Sequence, residues 1–379
     1  MEYCRRVLVV SVILISLALD DVVGRRCEFP AIYNFGDSNS DTGGISATFG
    51  PIPPPYGSSF FGKPAGRESD GRLIIDFIAE HLGLPYLSSY LDSIGTSFRH
   101  GANFAAGGST IRRKNDTIFD SGISPFSLDI QMLQFDQFKS RTIDLYHRGR
   151  NMLDKNKLPQ PNEFSRALYI IDIGQNDLVD GFRTLTTPQL QASLPNTVEQ
   201  LAAAITHLYE QGARTFWIHN VGPIGCLPAA TVYVRNPKAG FLDENGCIRN
   251  QNAMAAHFNA LLKARVTKLR EELPRASLVY VDVYSAKYLL ISNTTYYGFG
   301  EAMKICCGRH DGGVEVWCGQ RRVVNGEKVE GVSCRSPESY VSWDGVHYSQ
   351  AANQWIADRL LTASFSDPPT PIASACLKR

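Results

Sequence analysis

Beyond its first two dozen residues the chain has no long apolar run and no excess of one charge. It also has none of the short signatures of nucleotide or zinc chemistry. No later stretch approaches the roughly 20 apolar residues of a membrane-spanning helix. Lys and Arg number 38 against 37 Asp and Glu, a formal charge of +1, so nothing draws the protein as a whole toward nucleic acid or an anionic membrane. There is no P-loop, no dinucleotide fingerprint and no H-E-x-x-H. There is no G-x-S-x-G nucleophile elbow either. The cysteines form no paired C-x-x-C units, which argues against a zinc site, and neither a metal nor an organic cofactor is expected. No linker, repeat or composition shift divides the chain.

At the start, Arg5 and Arg6 precede an apolar stretch, Val7 to Leu19, that is too short to span a bilayer, followed by Val22-Val23-Gly24. This is the pattern of a secretory signal peptide over residues 1–24, leaving one domain over 25–379 with a Pro-rich tail, Pro368 to Pro371, expected to pack loosely. The expected destination is extracellular space or cell wall, with a vacuole as the other choice. Eight cysteines then remain: Cys27, Cys226, Cys247, Cys306, Cys307, Cys318, Cys334 and Cys376. An even number in an oxidising compartment favours disulfides. Cys226 and Cys247 bracket a Gly/Pro-rich excursion and read as a pair. Cys306, Cys307, Cys318 and Cys334 read as staples of a loop region, in a pairing the sequence does not choose. The sequons at Asn115 and Asn293 fit a glycosylated surface.

Five strand-like apolar runs recur: Ala31 to Phe35, Gly101 to Ala105, Ala167 to Ile173, Thr215 to Asn220 and Leu278 to Val283. Helical spacing of apolar residues marks Leu73 to Leu82, Leu190 to Tyr209 and Ala253 to Leu273, and Ser349 is placed to cap a last helix through Leu361. Ile118 to Leu133 and Gly222 to Asn245 read as loops. Strands alternating with helices predict an α/β fold with a five-stranded parallel sheet covered on both faces.

In such sheets ligands bind beyond the carboxyl ends of the strands. Polar groups stand at those ends: Ser38 after the first run, Gly107 and Gly108 after the second, Asn176 after the third, His219 and Asn220 at the fourth. Far down the chain lies Trp343-Asp344-Gly345-Val346-His347. A serine hydroxyl is a poor nucleophile near neutral pH and needs a base and oxyanion donors. His347 is suited to be the base, and Asp344, three residues earlier, to hold its tautomer. Gly107-Gly108 allows close backbone approach, and Asn176 carries an amide donor. Singly each reads as an ordinary turn residue. Together they point to nucleophilic acyl transfer.

Four blocks in this order, Phe35-Gly36-Asp37-Ser38 with Asp41-Thr42-Gly43-Gly44, Gly101 to Gly108, Ile173 to Asp177 and Asp344 to His347, resemble the plant GDSL esterase/lipase family of SGNH hydrolases. They span nearly the whole mature chain. Phe29 to Gly44 and Gly71 to Glu80 are similar to the branch with early nodulin-type esterases and the lanatoside acetylesterase. The resemblance implies a flavodoxin-like three-layer α/β/α fold and a Ser38–His347–Asp344 triad. It also implies an oxyanion hole of the Ser38 N–H, a Gly-Gly N–H (Gly108, with Gly107 close behind) and the Asn176 side chain. One departure is visible: Asn39 stands where the family name has Leu, a position outside the chemistry.

The reading is a secreted serine ester hydrolase for a small-molecule or carbohydrate ester with a short acyl group, working as a monomer without nucleic-acid partner or stable membrane insertion. A lipase, an acyltransferase using the same acyl-enzyme, and a non-catalytic secreted binding protein are the alternatives. The intact Ser38, Asn176, Asp344 and His347 weigh against the last.

Overall fold

A computed structural model describes residues 26–114, 122–148, 155–232, 234, 236–310, 315–324 and 326–377. The signal-peptide segment and the Asn115 sequon lie outside them.

The five apolar runs are the five parallel strands of one sheet. They are β1 (Ile32–Gly36), β2 (Gly101–Asn103), β3 (Leu168–Asp172), β4 (Thr215–His219) and β5 (Ser277–Val281). Their order across the sheet is β2-β1-β3-β4-β5. A two-residue strand, β6 (Ser366–Asp367), adds an antiparallel edge beside β5, so the sheet has six strands rather than five. So short a segment carries no periodicity, and only its pairing with Tyr280 and Val281 makes it a strand.

Strand side chains alternate between two cores, as the period of two requires. Tyr33, Phe35, Tyr169, Ile171, Phe216 and Ile218 face one side, under α3 (Leu128–Arg148), α5 (Thr187–Glu210) and α6 (Arg249–Glu272). Ile32, Leu168, Ile170, Trp217, Val279 and Val281 face the other, under α2 (Ile74–His81), α7 (Val283–Ser292) and α8 (Gln350–Leu360). This is the three-layer α/β/α arrangement. Two short helices complete the frame near the strand ends, α1 (Gly44–Phe49) and α4 (Gln175–Thr184). Ser349 caps α8, its hydroxyl accepting from the Ala352 N–H at 3.1 Å.

Two local expectations change. The loop expected through Leu133 ends earlier, because α3 begins at Leu128. The low mean hydropathy of α3 hid it: Leu128, Met132, Phe135 and Phe138 form a buried stripe, and the remaining positions are mostly polar. In the Pro-rich stretch Pro369 and Pro371 are exposed and Thr370 is buried, and the chain that follows it is anchored. Ile372 and Ala375 are fully buried, and Cys376 is bonded to Cys27, so the two ends of the described chain are joined. The other disulfides are Cys226–Cys247, Cys306–Cys334 and Cys307–Cys318. Among the described residues no helix is long and apolar enough to cross a membrane.

Helix α3 also reaches the end of β1. The fully buried Gln131 accepts from the Gly36 N–H at 2.9 Å and donates to the Gly36 carbonyl at 2.8 Å and to Phe126 O at 3.0 Å. It clamps the last strand residue before Asp37-Ser38. Replacing it by an apolar residue leaves the Gly36 N–H buried without an acceptor. Gln131→Leu is expected to lower stability by ~1–3 kcal/mol, against within about 0.5 kcal/mol for the exposed Leu133→Ala. Urea unfolding of the two variants beside wild type checks this.

Candidate active site

Gly36 ends β1 with its α-carbon pressed against the neighbouring strand, where a Cβ would meet the Asp172 carbonyl and Ser40 Oγ at 2.5 Å. The chain then turns sharply. Asp37 Oδ1 accepts from the Asn39 N–H at 2.9 Å and the Asn39 amide at 2.8 Å, leaving Ser38 at the apex, mostly buried. Asn39, which stands where the family name has Leu, holds this turn through Asp37. Its Oδ1 lies 3.4 Å from the buried Lys287 Nζ, and it does not touch the Ser38 hydroxyl. Behind the turn sit Asp37, Asp172, His219 and Lys287. Burial first, then repulsion from Asp172, pushes Asp37 up to about 7. Burial lowers Lys287, opposed by Asp172 and Asp37. His219 Nδ1 stands 3.2 Å from Asp172 Oδ2, at ion-pair distance but off the hydrogen-bond axis. Neither His219 nor Asn220 touches Ser38, Asn176 or His347 among the described residues. Asn220 instead bonds Tyr280, Asp282 and the Tyr284 N–H.

The late turn arrives from the far end of the chain. Gly345 adopts a φ of 97°, which favours glycine, and lets Asp344 and His347 point the same way. Cys306 and Cys307 donate their N–H groups to the carbonyls of Ser342 and Trp343, at 3.2 and 2.6 Å. The two disulfides therefore anchor the backbone just before Asp344. The result is a continuous relay. The Ser38 hydroxyl lies 2.9 Å from His347 Nε2, and His347 Nδ1 lies 2.7 Å from Asp344 Oδ2. Asp344 Oδ1 also accepts from the N–H groups of Val346 and His347, at 2.9 and 2.7 Å. Burial would raise the Asp344 carboxyl, but His347 and these bonds hold it at about 2. For His347, burial would lower the imidazole, and attraction to Asp344 and then Glu68 overrides it, leaving it well above the ordinary histidine value.

Two residues beside the relay were not singled out in the sequence, Tyr56 and Glu68. The Tyr56 hydroxyl donates to Asp344 Oδ2 at 2.8 Å, and its ring packs edge-on against the buried Trp343. Glu68 Oε2 lies 2.7 Å from His347 Nε2. Both come from the loop that begins with Pro51 to Pro55, and no local pattern marks them.

The donors are sorted by a buried carboxylate. Asp41 accepts from Gly43, Gly44 and Ile45 N–H groups, and its Oδ2 also takes the Gly107 N–H at 2.8 Å. Gly107 is thereby spent. The N–H groups of Ser38 and Gly108 have no acceptor among the described residues. Asn176 uses one amide hydrogen on Ser109 O at 2.9 Å and keeps the other. Asp177 ties the same segment down by accepting from Ile111 and Arg112 N–H groups. The structure thus brings Ser38, Gly108, Asn176, Asp344 and His347 toward one end of the sheet. Asn293, the sequon within the described residues, lies on the exposed surface at the end of α7.

The two glycines differ in what they tolerate. Gly108 has a φ of 75°, and a Cβ there would meet Gly122 O at 2.2 Å, backbone that does not yield. A Cβ on Gly107 would meet side-chain atoms at 3.0 and 3.1 Å. Gly108→Ala is expected to cost ~1–3 kcal/mol, with Gly107→Ala markedly milder. Thermal unfolding of the pair tests this.

The GDSL-like lipase/acylhydrolase family model matches residues 32–360. A GDSL esterase/lipase of Arabidopsis thaliana is 57% identical over 353 residues, covering 93% of this chain and 91% of its own. The GDSL esterase/lipase ACHE of Zea mays is 48% identical, covering 95% and 92%. The GDSL esterase/lipase ENOD8 of Medicago truncatula is 42% identical, covering 100% and 98%, in line with the nodulin-type resemblance. A match spanning strand β1 through helix α8, with relatives covered almost end to end, leaves one conclusion: this chain belongs to the GDSL esterase/lipase family and is a carboxylic ester hydrolase.

Proposed function

We propose that the protein is a secreted serine esterase that works through an acyl-enzyme on short-chain esters, foremost acetyl groups on carbohydrates or glycosylated metabolites. The observation that carries this reading is the Ser38–His347–Asp344 relay, with contacts of 2.9 and 2.7 Å, next to three donors left without an acceptor among the described residues. His347 takes the Ser38 proton as Oγ attacks the ester carbonyl. The oxygen gains its negative charge against the N–H groups of Ser38 and Gly108 and the Asn176 amide. His347 hands the proton to the departing alcohol, and water, activated by the same nitrogen, then releases the acid.

The short acyl group is favoured by the resemblance of Phe29 to Gly44 and Gly71 to Glu80 to the acetylesterase branch. Four disulfides, and an exposed sequon at Asn293, fit an oxidising, glycosylating route out of the cell.

Ser38→Ala is expected to abolish hydrolysis of p-nitrophenyl acetate and butyrate. Asn176→Ala is expected to lower turnover by ~10²–10³ while the protein stays folded. Rates falling from acetate to butyrate to a long-chain ester fit the acetylesterase reading, and the reverse order would replace it by a lipase. Product analysis with an added alcohol acceptor separates hydrolysis from acyl transfer. A folded Asn176→Ala with normal turnover removes that residue from the site.

A further inference from the structure

His347 Nε2 has two neighbours that ask for opposite things. Ser38 Oγ, at 2.9 Å, is a hydroxyl whose proton Nε2 is to accept, which requires a neutral imidazole with its lone pair outward. Glu68 Oε2, at 2.7 Å, is an acceptor when ionised and meets Nε2 favourably only when that nitrogen carries a proton. The Nδ1 side is already committed to Asp344. The imidazole therefore lies between two carboxylates, hydrogen-bonded to Asp344 through Nδ1 and with Glu68 at ion-pair distance from Nε2.

We infer that Glu68 is a second carboxylate partner of the base, which stabilises the imidazolium formed when His347 takes the serine proton and delays the base's availability until higher pH. The inference rests on the reading of Ser38 and His347 as the reacting pair. Oγ–H breaks as the Oγ–carbon bond forms, and the carbonyl electron pair moves onto oxygen. The proton sits on Nε2, and the Glu68 carboxylate 2.7 Å away balances the charge of the imidazolium. It then leaves with the alcohol as the carbon–alkoxy bond breaks, and Glu68 ends as it began.

The surroundings leave Glu68 as the group able to do this. From its own turn His347 faces Asp344, already bonded by two backbone N–H groups and the Tyr56 hydroxyl. From the loop after Pro55 it faces Tyr56 and Glu68. From the end of β1 it faces Ser38, behind which Asp37 and Lys287 are joined through Asn39. Asp41, beyond Gly107, has its carboxylate engaged by four N–H groups. Arg67, next to Glu68 in sequence, is turned away and paired with Asp76 at 2.7 Å. The Glu68 side chain is about a quarter exposed, at 23%, so solvent and incoming substrate reach it. Its Oε1 also lies where a Cβ on Gly107 would fall, 3.1 Å away, which places it over the donor segment. His347 stands well above the ordinary histidine value, with Glu68 the second of the attractive charges responsible.

The test is the pH profile of kcat/KM on p-nitrophenyl acetate for wild type, Glu68→Gln and Glu68→Ala. Removing a negative charge beside the imidazolium weakens its hold on the proton. The acid limb is therefore expected to move to lower pH by about one unit in both variants, with a lower plateau because the base is weaker. A merely structural role would lower the plateau and leave the limb in place, and that result overturns the inference. A second readout needs no turnover: NMR titration of the His347 imidazole in Ser38→Ala, with and without Glu68→Gln. A titration midpoint falling by about one unit supports the inference, and an unmoved midpoint overturns it even if wild type shows no esterase activity. Loss of wild-type hydrolysis alone would instead count against the reading of Ser38 and His347.

Discussion

The carboxylate of Asp41 is the fixed point of the site. It accepts four backbone N–H groups, three from the turn into α1 and one from Gly107 after β2. It is fully buried, and burial pushes it up to about 6 against the pull of those bonds. Parallel strands end here with N–H groups that no further strand pairs, and buried donors need acceptors. Asp41 supplies them for one set of N–H groups and joins the loops after β1 and β2. Asp177 does the same for Ile111 and Arg112, and Asp344 for its own turn. Among the described residues these aspartates leave unbonded the N–H groups of Ser38 and Gly108 and one hydrogen of Asn176, the donors proposed above for the developing oxyanion.

The rest of the fold holds this arrangement from outside. Gln131 of α3 clamps Gly36 from one core. Asn103, fully buried at the end of β2, donates to Ser40 O and Thr42 Oγ1 at 2.6 and 2.9 Å, and its Oδ1 takes the Asn34 amide. From the other side the cysteine-stapled excursion after α7 bonds the backbone just before Asp344. An acyl-transfer site needs its groups held within fractions of an ångström, and side chains locked by buried hydrogen bonds achieve that better than free loops. The same rigidity places the base between Asp344 and Glu68, so proton affinity and geometry are set by one set of contacts.

The elements most readily read were those with one simple period. The apolar runs at 31–35, 167–173 and 215–220 fall on β1, β3 and β4 because strands buried on both faces must be apolar throughout. Ser349 was legible as a cap because capping is a local exchange between a hydroxyl and a nearby N–H. Helix α3 was not, since its apolar stripe is thin and polar residues dilute it. The antiparallel edge strand was not, since two residues make a strand only through a partner. Proline content says nothing of the Cys27–Cys376 bond, or of the core that Ile372 and Ala375 join just after the exposed Pro369 and Pro371.

By itself the sequence determined which chemical groups stand at the strand ends and in what order: a serine after the first apolar run, a glycine pair after the second, an amide after the third, an Asp and a His in one late turn. Residue type, strand periodicity and turn chemistry are local properties, readable along the chain. Tertiary structure alone decided that Gly107 is spent on Asp41 while the Gly108 N–H has no acceptor among the described residues, that Tyr56 reaches Asp344 across 288 residues, and that Glu68 faces the outer nitrogen of His347. Those outcomes depend on which distant segments are pressed together, and a buried donor or carboxylate has no preferred partner until the fold brings one within reach.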